Sequence, residues 1–438
     1  MSKKKKIIEQ YDSSDGEAYE IDEEPIINGL SMGWTEDGRC GYAPEGSYIQ
    51  DCPRPLSGLA KRPNKRGKLF VIRKASCGAR HTAFLLINTK REPGNMTKKT
   101  RKIAIVGLNQ QGLCEDPAYI SMTDLLWDPQ EKAIDVAGNG TTFILTKYGN
   151  VFSCGNGRYG VLGHGDDTSY EAPRQIMSLI KQRIKMLSVG SSHTMAMTYT
   201  GRIFTWGRND KGQLGLGFES KYDPNKPAEV KAKNADERRK SVEMLQNHSN
   251  AVDHNMEYYP AMHLESFTAA DTCLAVACGQ FHSVALIHTV SKNGSSKEVV
   301  YVWGDDSRGQ LGSSDGAYRS RPQENRWCSQ LLTTLQIQHV AQIAAGGGHT
   351  LVLTAGTGQV VSWGAGDYGQ LGHGFAWDDS RPRLIGSLKD CISISAGLRH
   401  SMAVRQGSPN DVYGWGYNGY GELGVGDTNC RLQPTVIT

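Results

Sequence analysis

The chain has 438 residues, of which 51 are glycine and 21% are charged, and its net charge is +4. So small an excess exerts no global pull toward nucleic acid. No apolar run approaches the roughly 20 residues that cross a bilayer, and MSKKKKIIEQ lacks the apolar centre of a secretory signal, so nuclear and/or cytoplasmic location is expected.

Residues 1–31 form a charged segment, with Lys3 to Lys6 followed by the acidic stretch YDSSDGEAYEIDEE. From Met32 onward one phrase recurs. MGWTEDGRCG from Met32 and VGLNQQGLCED from Val106 keep only its glycine register. CGNGRYGVLGHG from Cys154 puts Cys where the stricter copies have Trp. Those copies are WGRNDKGQLGLG from Trp206, WGDDSRGQLGSS from Trp303, WGAGDYGQLGHG from Trp363 and WGYNGYGELGVG from Trp415. An upstream G-x-x-H turn accompanies each: His81 in CGARHTAFL, His193 in VGSSHTMAM, His282 in CGQFHSVAL, His349 in GGGHTLVL and His400 in AGLRHSMAV, with Thr141 at the His position of AGNGTTFIL. The offset from His193 to Trp206 is 13, as from Thr141 to Cys154; applied to Met32 it reaches Tyr19, with Gly16 at the expected glycine. Residues 1–31 are thus in register to belong to a closing unit.

Short apolar runs such as VALI, LVLT, FILT and MAMT, bounded by glycine-rich segments, read as strands separated by turns. A self-similar unit of about 50 residues with three or four short strands fits a propeller blade. The expected fold is an all-β, seven-bladed β-propeller of antiparallel four-stranded blades, with six blades as the alternative count. Residues 32–438 hold the propeller, and the C-terminal RLQPTVIT pairs with N-terminal strands to close it, which removes exposed sheet edges. The Trp and Leu of each phrase, such as Trp206 and Leu214, pack between neighbouring sheets.

Three stretches interrupt the repeat. Trp206 to Trp303 spans 97 positions against 52 from Trp363 to Trp415, which places an insertion at about 219–270. Its charged, glycine-free first part reads as helical, and its end is rich in Met and Tyr. NTKREPGNMTKKTRK separates two strands of one blade, and IHTVSKNGSSKEV reads as an extended hairpin. Basic runs at Lys3 to Lys6, KRPNKRGK from Lys61 and KKTRK from Lys98 suit phosphate contacts or nuclear import, or are solvated loops. None of the ten cysteines forms a C-x-x-C pair, so they read as small apolar core residues. No metal site, no cofactor and no catalytic residue is expected.

The G-x-x-H-[ST] turn followed by W-G-x-N-x-x-G-Q-L-G is similar to the regulator of chromosome condensation repeat, whose family fold is a seven-bladed propeller. The resemblance implies a protein-interaction module, regulating a Ran-like small GTPase by guanine-nucleotide exchange, or else a non-catalytic adaptor that docks a protein or chromatin partner. It implies a partner on the face of the G-x-x-H turns, with Arg80, His81, His193, Phe281, His282, His349, Arg399 and His400 as the candidate contacts. Each histidine equally reads as holding its own turn by a hydrogen bond. In the exchange factor of the family some of these turns carry acids, whereas here they read Ala79-Arg80, Asn139-Gly140, Ser191-Ser192, Gln280-Phe281, Gly347-Gly348 and Leu398-Arg399. In the family's ultraviolet receptor light is sensed through Trp at the position held here by Ala79 and Leu398.

Overall fold

The computed structural model describes residues 141–216, 271–290, 296–312, 339–407 and 411–437 in full, and the course of the strands elsewhere. Among the described residues, twenty-six strands follow one another in hairpin order within each sheet. A two-stranded sheet joins β1 (Leu30–Trp34) to β2 (Ile49–Pro55). Six four-stranded sheets come next. The first is β3 (Phe70–Cys77), β4 (His81–Asn88), β5 (Arg101–Asn109) and β6 (Gly112–Ser121). The second is β7 (Ala133–Gly138), β8 (Thr141–Thr146), β9 (Val151–Gly155) and β10 (Tyr170–Gln175). The third is β11 (Ile184–Val189), β12 (His193–Thr198), β13 (Ile203–Gly207) and β14 (Met262–His263). The fourth is β15 (Thr272–Cys278), β16 (His282–Val290), β17 (Ser296–Gly304) and β18 (Arg326–Leu331). The fifth is β19 (Val340–Ala345), β20 (His349–Thr354), β21 (Val360–Gly364) and β22 (Asp379–Leu384). The sixth is β23 (Cys391–Ala396), β24 (His400–Arg405), β25 (Asp411–Gly416) and β26 (Arg431–Val436).

The register repeats from sheet to sheet. His193 pairs with Gly207, His282 with Gly304, His349 with Gly364 and His400 with Gly416. The G-x-x-H turn and the loop after W-G therefore leave the sheet at the same end, side by side. Antiparallel geometry puts the hairpin turns after the second strands at the opposite end.

Packing between sheets rests on the tryptophans, as the sequence leads one to expect. Trp206, Trp303, Trp363 and Trp415 are all wholly buried. Trp206 packs among Phe143, Leu145, Val151 and Ile176 of the preceding sheet, and Trp415 among Leu351, Leu353, Val360 and Ile385. Gly163, Gly215 and Gly372 each lie against the indole of the next phrase, Trp206, Trp303 and Trp415. A Cβ on Gly215, whose φ is +70°, would stand 2.9 Å from Trp303 Nε1, so both backbone and space exclude a side chain there.

Three expectations change or sharpen. The C-terminal strand β26 pairs with β25, in a sheet built from residues after 390, and among the described residues no N-terminal strand joins that sheet. Residues close in sequence pair first when a tight connection allows it, and the loop after Trp415 is short enough to return β26 directly. Part of the expected insertion is blade, because Met262–His263 is a strand against Phe204 and Thr205. The excess thus lies between β13 and β14, at the end of the sheet that carries the G-x-x-H turns; residues 217–261 are outside the described residues. The extended hairpin is present, with Val290 opposite Ser296. The seventh unit sought around Gly16 and Tyr19, and the basic runs at Lys3 and Lys61, also lie outside the described residues.

Candidate functional site

The signature residues form a relay across three consecutive seams between blades, from the third four-stranded sheet to the sixth. His193 Nε2 lies 2.9 Å from Ser283 Oγ, His282 Nε2 3.0 Å from Thr350 Oγ1, and His349 Nε2 2.8 Å from Ser401 Oγ. Every hydroxyl belongs to the next blade and is the [ST] that follows that blade's own histidine. Each in turn donates to a backbone carbonyl of the GQLG phrase: Ser283 Oγ to Gln213 O at 2.7 Å, Thr350 Oγ1 to Gln310 O at 3.1 Å, and Ser401 Oγ to Gln370 O at 2.9 Å. The same three carbonyls accept from the indoles of Trp303, Trp363 and Trp415, each at 2.9 Å. Histidine, hydroxyl, glutamine carbonyl and tryptophan are one interlocked set at each of these three seams.

This wiring fixes the protonation of the histidines. A hydroxyl that donates to a carbonyl must accept from the imidazole, so Nε2 carries the hydrogen. Nδ1 of His193, His282 and His349 is buried with no hydrogen-bond partner. Burial therefore pushes all three down to about 3 from the ordinary 6.5, and His400 to about 4. The glycine that opens each turn is required by the same packing, since a Cβ on Gly279 would stand 2.3 Å from His282 Cε1.

These positions sort the expected contact set. His193, His282 and His349 are 0% exposed and hold the seams. His400 is half-buried; it stands in the last described blade, and no next-blade hydroxyl is among its described neighbours. Arg80 lies outside the described residues, and His81 is placed only as the first residue of β4. Phe281 is half-buried and Arg399 exposed, both at the mouth of the face.

What the face presents is set by the variable slots inside the strict phrase. Gln213, Gln310 and Gln370 fold back so that Oε1 accepts from the backbone N–H of Lys211, Arg308 and Tyr368 at 2.8–2.9 Å. Glu422 does the same for Tyr420 at 2.9 Å. The fourth position of the phrase, Asn209, Asp306 or Asn418, accepts from the N–H of the buried Leu at 2.9–3.0 Å. Neighbouring turns are tied as well: Asp305 N–H donates to Phe281 O at 2.9 Å, Tyr417 N–H to Arg399 O at 2.8 Å, and Gly347 N–H to Leu398 O at 3.1 Å. The loops form a fixed platform.

On that platform arginines and aromatic rings stack across the seams. The Arg208 guanidinium lies 4.9 Å from the Tyr159 ring of the preceding blade and 5.4 Å from Phe281 of the next. Arg399 lies 4.9 Å from the Tyr368 ring and donates to its hydroxyl at 3.1 Å. Tyr368 meets Tyr417 edge to face at 5.0 Å, and Tyr417 meets Tyr420 at 6.0 Å. Between these sets Arg308 grips Asp378 with two nitrogens, at 2.5 and 2.7 Å, and Asp367 at 3.1 Å. Tyr159 has φ +65°, a conformation costly for a residue with a Cβ. Sequence reasoning found Phe281 and Arg399 but missed Tyr159, Arg208, Tyr368, Tyr417 and Tyr420. Part of their signal was present: the sixth position of the five described phrases is always a ring or a cation, Tyr159, Lys211, Arg308, Tyr368 or Tyr420.

No acid stands at the x positions of the described turns, and Leu398 is 57% exposed. Buried Cys154, Cys273 and Cys278 are pushed up to about 12 by burial, so their thiols are inert packing groups. No group of three or more metal-ligating side chains occurs among the described residues. Among them, no helix is long and apolar enough to cross a membrane.

Sheets packed through these seams, with one face of tied loops, define a β-propeller whose variable side chains are gathered on that face. The regulator of chromosome condensation (RCC1) repeat matches residues 148–197, 200–252, 298–353, 357–404 and 410–438, and the chain belongs to that family. It is 31% identical over 307 residues to the ultraviolet-B receptor UVR8 of Arabidopsis thaliana, covering 66% of this chain and 65% of the receptor. It is 30% identical over 295 residues to the human E3 ubiquitin-protein ligase HERC2, covering 67% of this chain but 5% of the ligase. Among solved structures it is similar to Prp20p of Saccharomyces cerevisiae, with TM-score 0.68, 19% identity and coverage of 93% of this chain and 85% of that one. It is also similar to human WBSCR16, with TM-score 0.66, 21% identity and 93% coverage of both chains.

Proposed function

We propose that this chain is a protein-docking propeller whose partner seats on the face of the G-x-x-H turns. The observation that carries this reading is the arginine–aromatic array, Tyr159–Arg208–Phe281 and Arg399–Tyr368–Tyr417–Tyr420, standing on loops that the seams hold rigid. Arg and aromatic residues anchor interfaces because they bury much area with little lost freedom. Arg399 has no carboxylate partner among the described residues, which suits a partner that brings acids of its own. No acid stands at the x positions of the described turns to disturb a nucleotide's phosphate and magnesium contacts, so docking without catalysis is the primary reading. Nuclear or cytoplasmic location and a chromatin partner are compatible with it.

A regulator of a Ran-like small GTPase is the second reading. It draws support from the Prp20p fold, whose description includes binding to Gsp1p and histones. Labelled GDP release separates the two. Docking alone predicts binding to a Ran-like GTPase, or to another protein, with no faster release; an exchange factor predicts release accelerated by catalytic amounts and tightest binding to the nucleotide-free GTPase.

Replacing Arg399 and Phe281 together with alanine is expected to remove the partner from quantitative pull-downs. Arg399→Ala by itself should change stability by no more than about 0.5 kcal/mol, as exposed side chains generally do. Partner capture that survives the double change would move the docking site elsewhere.

A further inference from the structure

The opposite end of the blades carries a second surface, built by the turns at 146–150 and 198–202 and the linker at 177–185. Ile184 N–H donates to Gly149 O at 3.0 Å, Tyr199 N–H to Arg183 O at 3.1 Å, and Arg202 Nη2 to Gln182 Oε1 at 2.5 Å. These bonds gather five exposed cations, Lys147, Lys181, Arg183, Lys185 and Arg202. Three exposed large side chains lie among them: Tyr148, Met177 and Tyr199, at 44%, 70% and 53%. The Arg183 guanidinium is 5.7 Å from the Tyr199 ring, and Lys147 Nζ is 5.8 Å from that of Tyr148. Lys181, Arg183 and Lys185 have no carboxylate partner among the described residues.

The fold does not need these residue types. The bond from Tyr199 N–H to Arg183 O recurs as Ala355 N–H to His339 O at 3.0 Å and as Gln406 N–H to Asp390 O at 2.9 Å. The bond from Ile184 to Gly149 recurs as Cys391 N–H to Gly358 O at 2.9 Å. Even the backbone is shared, with φ +49° at Arg183 and +58° at Asp390. The same junction is thus made elsewhere with Asp and Gln, and among the described junctions the one between the second and third four-stranded sheets displays cations beside open rings.

We propose that this surface binds a single strand of nucleic acid, with phosphates on the cations and unstacked bases on Tyr148 and Tyr199. Single strands are held by this pairing of a basic track with aromatic platforms, because every base offers a π-face. A duplex hides those faces and would leave the rings idle. An acidic peptide would satisfy the cations alone. An anionic membrane would need deeper apolar groups than two phenols, each tipped with a hydroxyl, and one methionine. The surface lies at the end of the blades remote from the proposed protein face, so it stands or falls independently of that reading.

The test uses the full chain and a fluorescein-labelled oligouridylate of about 12 nucleotides, read by fluorescence anisotropy. Expected is binding that weakens steeply with salt and that falls about tenfold or more in Arg183→Asp with Tyr199→Gln. That pair installs the residues found at the equivalent junction, so the thermal midpoint should stay in place. If it falls, Tyr148→Ala with Lys185→Gln reads the same surface with a different backbone. Absent binding, equal binding of a matched duplex, binding only to phosphatidylserine-containing vesicles, or affinity unmoved by folded variants of either pair would each overturn the proposal.

Discussion

Trp363→Ala is expected to destabilise the protein by about 3–5 kcal/mol, the range for emptying a buried aromatic site. The ring is wholly buried among Val284, Val300, Val302 and Leu311, all from the preceding blade and its loop. Its Nε1 donates to the Gln310 carbonyl at 2.9 Å, the carbonyl that also receives Thr350 Oγ1. The change therefore opens a void at a seam and removes one donor from the relay at once. Trp206→Ala should behave alike, since its indole is equally buried and donates to Val161 O at 2.7 Å. Trp377 is the control: it is 61% exposed, stacked on Phe375 at 4.1 Å, and its loss should cost less than about 1 kcal/mol. Urea denaturation measures all three, and a mild Trp363→Ala beside a severe Trp377→Ala would invert the assignment of core and surface.

Acid is expected to unlock the seams well above the pH at which the buried histidines themselves titrate. His193, His282 and His349 sit at about 3 in the folded protein against 6.5 when free. Between those values the unfolded chain binds three protons that the folded chain refuses. Stability from these groups is thus complete above pH 6.5 and is lost progressively as pH falls toward 3. Each histidine contributes a slope of about 1.4 kcal/mol per pH unit, and the three together about 4. Against a typical total of about 5–15 kcal/mol, that slope uses up the stability between about pH 5 and about pH 3. Replacing His349 with glutamine, which keeps a neutral side chain at the seam, should flatten that slope by about a third. An unchanged slope in a folded His349→Gln would assign the acid sensitivity to carboxylates instead.

The sequence made the blades legible because their grammar is local. A turn glycine, a strand and a buried Trp fall within a few dozen residues, and the Trp–Leu packing follows from size and apolarity alone. The relay was harder to see. Its bonds run from His193 to Ser283, from His282 to Thr350 and from His349 to Ser401. The repeat shows that each blade owns a histidine and a hydroxyl, but not that one blade's histidine reaches the next blade's hydroxyl. The burial of the histidines was hidden for that reason: a turn at the face can send its side chain inward. Arg399 and Phe281 were visible as unrepeated residues, yet the rings they stack beside come from the loop after W-G or from another blade. The C-terminal strand misled because RLQPTVIT carries no mark of which edge it pairs with, and loop length decided it.

The claim on which the rest depends is that the signature residues bind blade to blade while the variable slots face outward. A double-mutant cycle on His349 and Ser401, read by urea denaturation with Arg399→Ala alongside, tests it most directly. The account predicts that His349→Ala and Ser401→Ala each destabilise, that together they cost less than the sum by about 0.5–3 kcal/mol, and that Arg399→Ala leaves the midpoint in place. Strict additivity of the pair, with a large loss from Arg399→Ala, would contradict it.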